Sequence, residues 1–181
     1  GVSFVDARSI PFDRLAAYDR RFFPEPRDSF LAPWITAPER TALVALKDGE
    51  IAGFGVIRAA VTGARIGPLY AASAESAAAL IGKLAAAMPG QVAVDVPDFH
   101  EPAKQLAEQL GLKPAFETAR MYTGPDPAFD RAAARGRSGN RARRDRRLPV
   151  GGHVLRLRLP GHGGDPSGGV LRRWDPRFGG A

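Results

Sequence analysis

Two residues near the ends of predicted strands are the first candidates for acid–base chemistry. Tyr70 closes the segment Ile66-Gly-Pro-Leu-Tyr70, and Asp95 lies in a β-branched run that ends at Pro97. A tyrosine hydroxyl can donate a proton to a leaving group, and a carboxylate can accept one from an amine. The alternative for Tyr70 is packing at a strand end. The alternative for Asp95 is a capping or turn hydrogen bond through Pro97-Asp98.

A strand that leads directly into a helix makes residues 65–84 a candidate for holding a phosphate. The N–H groups at a helix N-terminus have no intrahelical partner, and the helix dipole is positive there. Ser73 or Ser76 could cap this helix, and either could contact a bound phosphate. The turn between strand and helix has no glycine and contains Glu75, which would repel an anion. An ordinary strand–helix turn is therefore the alternative.

Arginines on strands are candidates for binding a substrate. Arg58 and Arg120 stand among apolar neighbours, where a buried guanidinium needs an anionic partner. They could bind an anionic group of a substrate. The alternative is a structural ion pair with Asp19, Asp95 or Glu117.

Polar and aromatic residues on the helices complete the candidates. Tyr18, Arg27 and Trp34 belong to two short helical segments near the N-terminus, and core packing is one interpretation of the two aromatic residues. His100 stands at the start of a later helix. It could contact a cofactor or relay a proton, and a structural role is its alternative.

The elements that must position these residues follow from hydrophobic periodicity and from turn signals. Asp48-Gly49 between two strand-like runs predicts a two-residue hairpin turn. An antiparallel meander passes into alternating strands and helices, which predicts an α/β (α+β) fold with a mixed, mainly antiparallel sheet and helices on both faces. The predicted helices are 12–23, 28–34, 73–87 and 100–110, and the predicted strands are 41–47, 51–60, 65–70, 91–96 and a last one within 112–122.

Several short segments, taken in order, resemble the GNAT acetyltransferases, and more narrowly the C-terminal acetyltransferase-like domain of the YitH-type subfamily. Each segment is weak alone, but their order and spacing over about residues 4–128 make the resemblance fairly specific. The segments are Leu15-Ala-Ala-Tyr-Asp-Arg-Arg-Phe-Phe23, Arg27-Asp-Ser-Phe-Leu-Ala-Pro-Trp34, Ile51-Ala-Gly-Phe-Gly-Val-Ile-Arg58, Ile66-Gly-Pro-Leu-Tyr-Ala71, Asp95-Val-Pro97, Gly111-Leu112 and Ala119-Arg-Met-Tyr-Thr-Gly124.

The resemblance implies acetyl transfer from acetyl-CoA, as co-substrate, to a small-molecule amine. It implies that strand N–H groups at Leu69 or Tyr70 hold the thioester carbonyl. It also implies that the two front helices line the acceptor cleft, with Tyr18, Arg27 and Trp34 as substrate contacts. It also implies that the domain follows another GNAT domain in a parent protein.

Two positions depart from the family pattern. The glycine-rich turn that contacts the pyrophosphate falls at 72–77, where glycine is absent, and the tyrosine that protonates the departing thiolate falls at Ala107. These departures favour an alternative function, a non-catalytic half that supports a partner domain or binds a ligand.

The composition changes after Phe129, and we expect residues 1–129 to form the domain and 130–181 to be an irregular or disordered tail. Residues 131–181 hold 13 Arg against 3 Asp, a net charge of +10 that leaves −3 for residues 1–130. The resemblance implies one more strand just after residues 121–127, and none is legible there, so the domain is expected to lack its last strand. Within the tail, only 154–159 alternates like a strand.

The arginines of the tail suggest a third function, nucleic-acid binding, but its stacking aromatics are only Trp174 and Phe178. Nucleic acid is therefore not an expected partner. Because high-GC DNA read out of frame also encodes such a tail, a frameshift near Asp130 is a further hypothesis for its origin.

Cysteine is absent, which excludes disulfides, cysteine-bound metals and thiol nucleophiles and fits a reducing compartment, so a cytoplasmic location is expected. No apolar run is long enough to span a bilayer, so no membrane association is expected. The N-terminus has neither a secretory signal pattern nor an initiator methionine, so we expect a processed product or a fragment of a longer chain.

Overall fold

Three antiparallel strands joined by tight turns form the centre of the sheet in this computed structural model. The structure describes residues 1–23, 25–97, 100–119, 134–136 and 153–159. The strands are β1 Val2–Asp6, β2 Arg40–Lys47, β3 Glu50–Ala59, β4 Ala64–Ala71, β5 Val92–Pro97, β6 Lys113–Ala119, β7 Ala134–Gly136 and β8 His153–Leu159, and the helices are α1 Phe12–Asp19, α2 Asp28–Thr36, α3 Ala74–Ala87 and α4 Glu101–Gln109.

The sheet has the strand order β1-β2-β3-β4-β5-β8-β6, and β7 pairs with β4 beside this path. Among the described strands only the β4–β5 pair is parallel. The predicted mixed, mainly antiparallel sheet is therefore confirmed. The strand β1 was not predicted, because a five-residue edge strand carries too little periodicity to be recognised before its pairing with β2 is known.

Alternation along the strands divides the buried side chains between the two faces of the sheet. On one face, strand residues such as Ile57 and Ile66 pack with Leu80 of α3 and Leu106 of α4. On the other face, strand residues pack with α1 and α2; the cluster includes Leu15, Phe22, Leu31, Val44, Phe54, Val56 and Tyr70. The prediction of helices on both faces is confirmed.

Turn and cap residues behave as predicted at several element ends. Asp48 and Gly49 both have positive φ angles, 52° and 81°, as a two-residue hairpin turn requires. Ser73 is the cap of α3, since its hydroxyl accepts a hydrogen bond from the N–H of Ser76. Gly111 has a φ of 72° just after α4, as predicted for a residue that ends a helix.

The first helix is shorter than predicted. It ends at Asp19, and the N–H groups of Phe22 and Phe23 both bond to the carbonyl oxygen of Asp19 in a turn. Phe12, which the periodicity placed on the buried face, is 36% exposed.

The strand β8 covers the segment 154–159, which alternates like a strand in the sequence. It pairs antiparallel with β5 on one side and with β6 on the other, so the backbones of both neighbours are bonded along its length. The alternation in 154–159 was the correct signal. The boundary near Phe129 stays a prediction, and the rest of the expected tail lies outside the described residues.

Candidate functional site

The strands β4 and β5 run side by side only at their beginnings. Their pairing extends from Ala64 opposite Val92 to Ile66 opposite Val94, and then stops. The pairing of β4 with β3 has a bulge at this point: Ile66 faces Ile57, and Leu69, three residues on, faces Gly55, only two residues away from Ile57. Beyond the bulge, β4 therefore presents a backbone edge that β5 does not use.

The free edge of β4 is taken up by another part of the chain. Leu69 pairs with Gly136 and Tyr70 pairs with Ala134 in the short antiparallel strand β7. The stretch of β4 at which the thioester carbonyl was expected to bind is thus already paired.

The N-terminus of α3 follows β4 directly, as predicted. The Oγ atoms of Ser73 and Ser76 lie 3.1 Å apart, and the Ser73 hydroxyl accepts from the Ser76 N–H. Ser76 is 5% exposed. Both predicted cofactor contacts therefore serve the helix cap, and Glu75 adds the only acidic charge of the first turn.

Apolar side chains line a small cavity between the parted strands and the helices α3 and α4. Its volume is about 10 Å³, room for about one water molecule. Ala107, at the position where the family pattern has a tyrosine, is one of its lining residues. The lining residues are Leu69, Ile81, Val94, Val96, Ala103, Leu106, Ala107 and Leu112.

Tyr70 lies on the opposite face of the sheet, beneath the helices α1 and α2. It is completely buried, and its ring stacks on that of Phe22 with centroids 3.9 Å apart. Its hydroxyl oxygen accepts a hydrogen bond of 3.2 Å from Arg27, whose guanidinium also binds the carboxylate of Asp19 at 2.6 and 2.7 Å. The guanidinium further stacks on Phe23, 3.6 Å from its ring centroid.

The charge of Arg27 is well compensated in this cluster. Burial alone would lower the pKa of Arg27, but the hydrogen bonds that Arg27 donates to Asp19 and Tyr70, and its electrostatic attraction to both groups, outweigh burial, and the pKa is raised. Tyr18 borders the same cluster, 5.3 Å from Phe22 in an edge-to-face contact. The predicted substrate contacts Tyr18 and Arg27 are thus brought together with Tyr70.

Asp95 binds a different cation. Its carboxylate forms a short ion pair with Arg65, and the side chain of Asp95 is 4% exposed. The strand neighbours of Arg65 and of Asp95 pack in the core beneath α3 and α4. Because successive side chains of a strand point to opposite faces, Arg65 and Asp95 lie on the α1–α2 face. The expected alternatives for Asp95 were a cap or a turn bond, and this partner was not foreseen.

A third cluster surrounds Trp34 on the same face. The indole Nε1 donates to the carbonyl oxygen of Gly67 at 3.3 Å, which holds α2 over the bulge of β4. Arg40 lies 4.0 Å and Arg58 5.6 Å from the centroid of the Trp34 ring. Arg40 was not recognised from the sequence, because its place opposite Arg58 depends on the register of β2 and β3.

The remaining predicted residues take local positions. His100 caps α4, and its Nδ1 accepts a hydrogen bond of 3.1 Å from the N–H of Ala103. Two of the three candidate partners named for Arg58 bind other arginines, Asp19 to Arg27 and Asp95 to Arg65. Arg120 and the side chain of Glu117 lie outside the described residues.

A family model described as an acetyltransferase (GNAT) domain matches residues 15–133. The chain belongs to the GNAT acetyltransferase family. Two curated relatives agree with this assignment. The GNAT domain is 28% identical over 129 residues to a holothin acyltransferase of Pseudoalteromonas sp. (strain SANK 73390). This alignment covers 70% of the chain and 43% of the relative. The domain is 30% identical over 105 residues to the uncharacterized N-acetyltransferase YitH of Bacillus subtilis (strain 168). This alignment covers 58% of the chain and 37% of that relative. The chain thus spans less than half the length of either relative.

Solved structures show the same fold for this GNAT domain. The ribosomal-protein-S18-alanine N-acetyltransferase of Escherichia coli superposes with a TM-score of 0.64 at 13% identity, over 94% of this chain and 100% of that one. Arabidopsis thaliana NAA60 in complex with acetyl-CoA superposes with a TM-score of 0.59 at 13% identity, over 88% and 98%. Every helix in the described part of the chain is too short or too polar to cross a lipid bilayer.

Proposed function

We propose that this domain transfers an acetyl group from acetyl-CoA to a small-molecule amine. The observation that carries the proposal is the parting of β4 and β5 after Ile66 and Val94, with the N-terminus of α3 directly beyond. This arrangement supplies a backbone edge for an acyl group and a positive helix end for phosphates. Neighbours of the same fold include one solved with acetyl-CoA.

The residues present fit acetyl-CoA at the backbone level. The N–H groups of Leu69 or Tyr70 would hold the thioester carbonyl, and the first turn of α3 would face the phosphates. Acetyl-CoA supplies the activated acyl group. Because β7 pairs with the same stretch of β4, this strand must leave before the site can be used.

The acceptor would approach from the face that α1 and α2 cover. Tyr70, Arg27 and Trp34 lie there, within a few residues of the bulge in β4. Asp95 as the base of the reaction remains a proposal, and its carboxylate forms an ion pair with Arg65.

A non-catalytic half of a tandem protein is the second candidate. Three observations favour it: Ala107 at the position of the proton donor lines a cavity of about 10 Å³, Tyr70 is completely buried, and Asp95 is paired. Under this candidate the domain supports an N-terminal GNAT domain or binds a ligand without chemistry.

Calorimetric titration with acetyl-CoA, followed by an assay of free CoA release with a panel of small amines, tests the proposal. The full chain is compared with Ala134→Pro, which removes a backbone N–H of β7 and so weakens its pairing with β4. We expect the variant to bind acetyl-CoA about tenfold more tightly and to release CoA faster in the presence of an amine.

The outcomes separate the two candidates. Binding without amine-dependent CoA release would support the non-catalytic half. Binding no tighter than about millimolar in both proteins would overturn acetyl transfer by this domain.

A further inference from the structure

An apolar cavity adjoins the position proposed for the thioester carbonyl. It lies between β4, β5, α3 and α4, and within the described residues its lining consists of alanine, valine, leucine and isoleucine. Leu69, whose N–H is one of the two proposed to hold the carbonyl, belongs to this lining. Val94, the last residue of β5 that pairs with β4, and Val96 beyond it line the cavity as well. The cavity therefore begins where the two strands part.

The chemistry of the lining favours an alkyl group over water. The volume of about 10 Å³ corresponds to roughly one water-sized probe. A buried water needs about two to four polar partners, and aliphatic side chains supply none. A methyl group is close to water in size and needs no such partners. Burial of one more carbon of an acyl chain here should therefore strengthen binding about fourfold.

Two small side chains of α4 set the size of the cavity. Ala103 and Ala107 are one helical turn apart, so they lie on the same face of the helix, and both line the cavity. They are 4% and 3% exposed. Ile81 of α3 forms part of another wall. A larger side chain on α4 would fill the space, and a smaller one on α3 would extend it.

The two faces of the sheet separate the acyl chain from the acceptor. Leu69 packs in the core beneath α3 and α4, whereas Tyr70 packs beneath α1 and α2. Successive side chains of a strand point to opposite faces. An acyl chain that extends from the carbonyl past Leu69 into the cavity therefore leaves the α1–α2 face to the approaching amine.

We propose that this cavity receives the end of the donor's acyl chain, so that the domain accepts propionyl-CoA as well as acetyl-CoA and binds it more tightly, with Ala107 setting the chain length. This inference rests on the proposed function. In the transfer the thioester C–S bond breaks, a bond forms between the amine nitrogen and the acyl carbon, and the proton of the amine ends on the released CoA thiol. Binding of the donor itself does not depend on that step.

The test is a calorimetric titration of the full chain with acetyl-CoA, propionyl-CoA and butyryl-CoA. We expect propionyl-CoA to bind about fourfold more tightly than acetyl-CoA. Butyryl-CoA should bind no more tightly than propionyl-CoA, because the cavity has room for about one group. Each donor must displace β7 from the same stretch of β4, so the ratio of the affinities is independent of that cost.

Two variants change the size of the cavity in opposite directions. Ala107→Val places a larger side chain in the lining and should abolish the preference for propionyl-CoA. Ile81→Val removes one carbon from the wall that α3 forms and should move the preference to butyryl-CoA. The matched controls are Ala86→Val, at an exposed position of α3, and Ile57→Val, in the same core but outside the lining. Both controls should keep the preference, and circular dichroism establishes that each variant is folded.

Equal binding of acetyl-CoA and propionyl-CoA to the full chain, or a preference that neither Ala107→Val nor Ile81→Val alters, would overturn this inference. The assay of CoA release keeps the two proposals apart. A chain-length preference without amine-dependent CoA release sinks the enzymatic function alone, whereas CoA release without a chain-length preference sinks only the acyl pocket. Binding of all three donors no tighter than about millimolar sinks both.

Discussion

The ion pair between Arg27 and Asp19 joins the start of α2 to the end of α1. The side chain of Asp19 is 2% exposed and that of Arg27 is 19% exposed. A buried carboxylate that loses its cation is left without compensation, which costs far more than the pair contributes net. The guanidinium of this pair also donates to the hydroxyl oxygen of Tyr70.

Arg27→Ala is therefore expected to lower the free energy of unfolding by about 3 kcal/mol, measured by urea denaturation. Arg20→Ala is the control, because Arg20 contacts Asp28 at 3.5 Å with both side chains half exposed, and such pairs contribute about 0.5 kcal/mol. Similar losses in the two variants would contradict the role assigned to Arg27. Since the pKa of Arg27 is raised, its contribution is fully present below its ordinary pKa, so its own titration adds no pH dependence near neutrality.

At the scale of residues, the sequence predicted the types of the site side chains better than their partners. Arg27, Trp34 and Arg58 were predicted as substrate contacts, and the structure brings each to an aromatic or charged cluster on the α1–α2 face. The partners Arg65 and Arg40 were missed, because cross-strand register is not visible until the strands are paired.

Among the elements, the turn between β3 and β4 fixes how β5 joins the sheet. Gly63 has a φ of 75°, and a Cβ there would lie 2.1 Å from the carbonyl oxygen of Gln91. That oxygen accepts a hydrogen bond of 2.7 Å from Ala64, at the point where β4 and β5 begin to run together. A side chain at position 63 is therefore disfavoured both by the positive φ angle and by the close approach of the Gln91 backbone.

Gly63→Ala is expected to destabilise the protein by about 3 kcal/mol or more, because it combines a positive φ with a backbone collision. Gly49→Ala is the matched control: its φ of 81° is similar, but nothing lies within 4 Å of the added Cβ. We expect a cost of about 1 kcal/mol there. Equal unfolding midpoints for the two variants in urea would show that contact with Gln91 is unimportant.

Local signals explain which elements could be predicted. Asp48-Gly49, the Ser73 cap and Gly111 act within a few residues of themselves, so their effects are visible in the sequence. The strand β7 gave no such signal, because three residues become a strand only by pairing with β4.

For the whole molecule, β8 decides whether the sheet reaches β6. It is the strand between β5 and β6, so both lose a neighbour if it is removed. A chain that ends after Pro149 should unfold at a lower urea concentration and with a smaller m-value than the full chain, because less surface is buried. A chain that ends after Pro160 keeps β8 and is the control. An unchanged unfolding midpoint for the chain that ends after Pro149 would contradict the stabilising role assigned to β8.

The sequence by itself determined the GNAT family, the mixed sheet with helices on both faces, and the types of several residues that gather on the α1–α2 face. These depend on local periodicity, turn chemistry and ordered short segments. Only the tertiary structure decided that Asp95 pairs with Arg65, that β7 covers the edge at Leu69 and Tyr70, and that Arg40 stands opposite Arg58. Each of these depends on which distant strands pair and in what register, and register is set by the packing of the whole sheet.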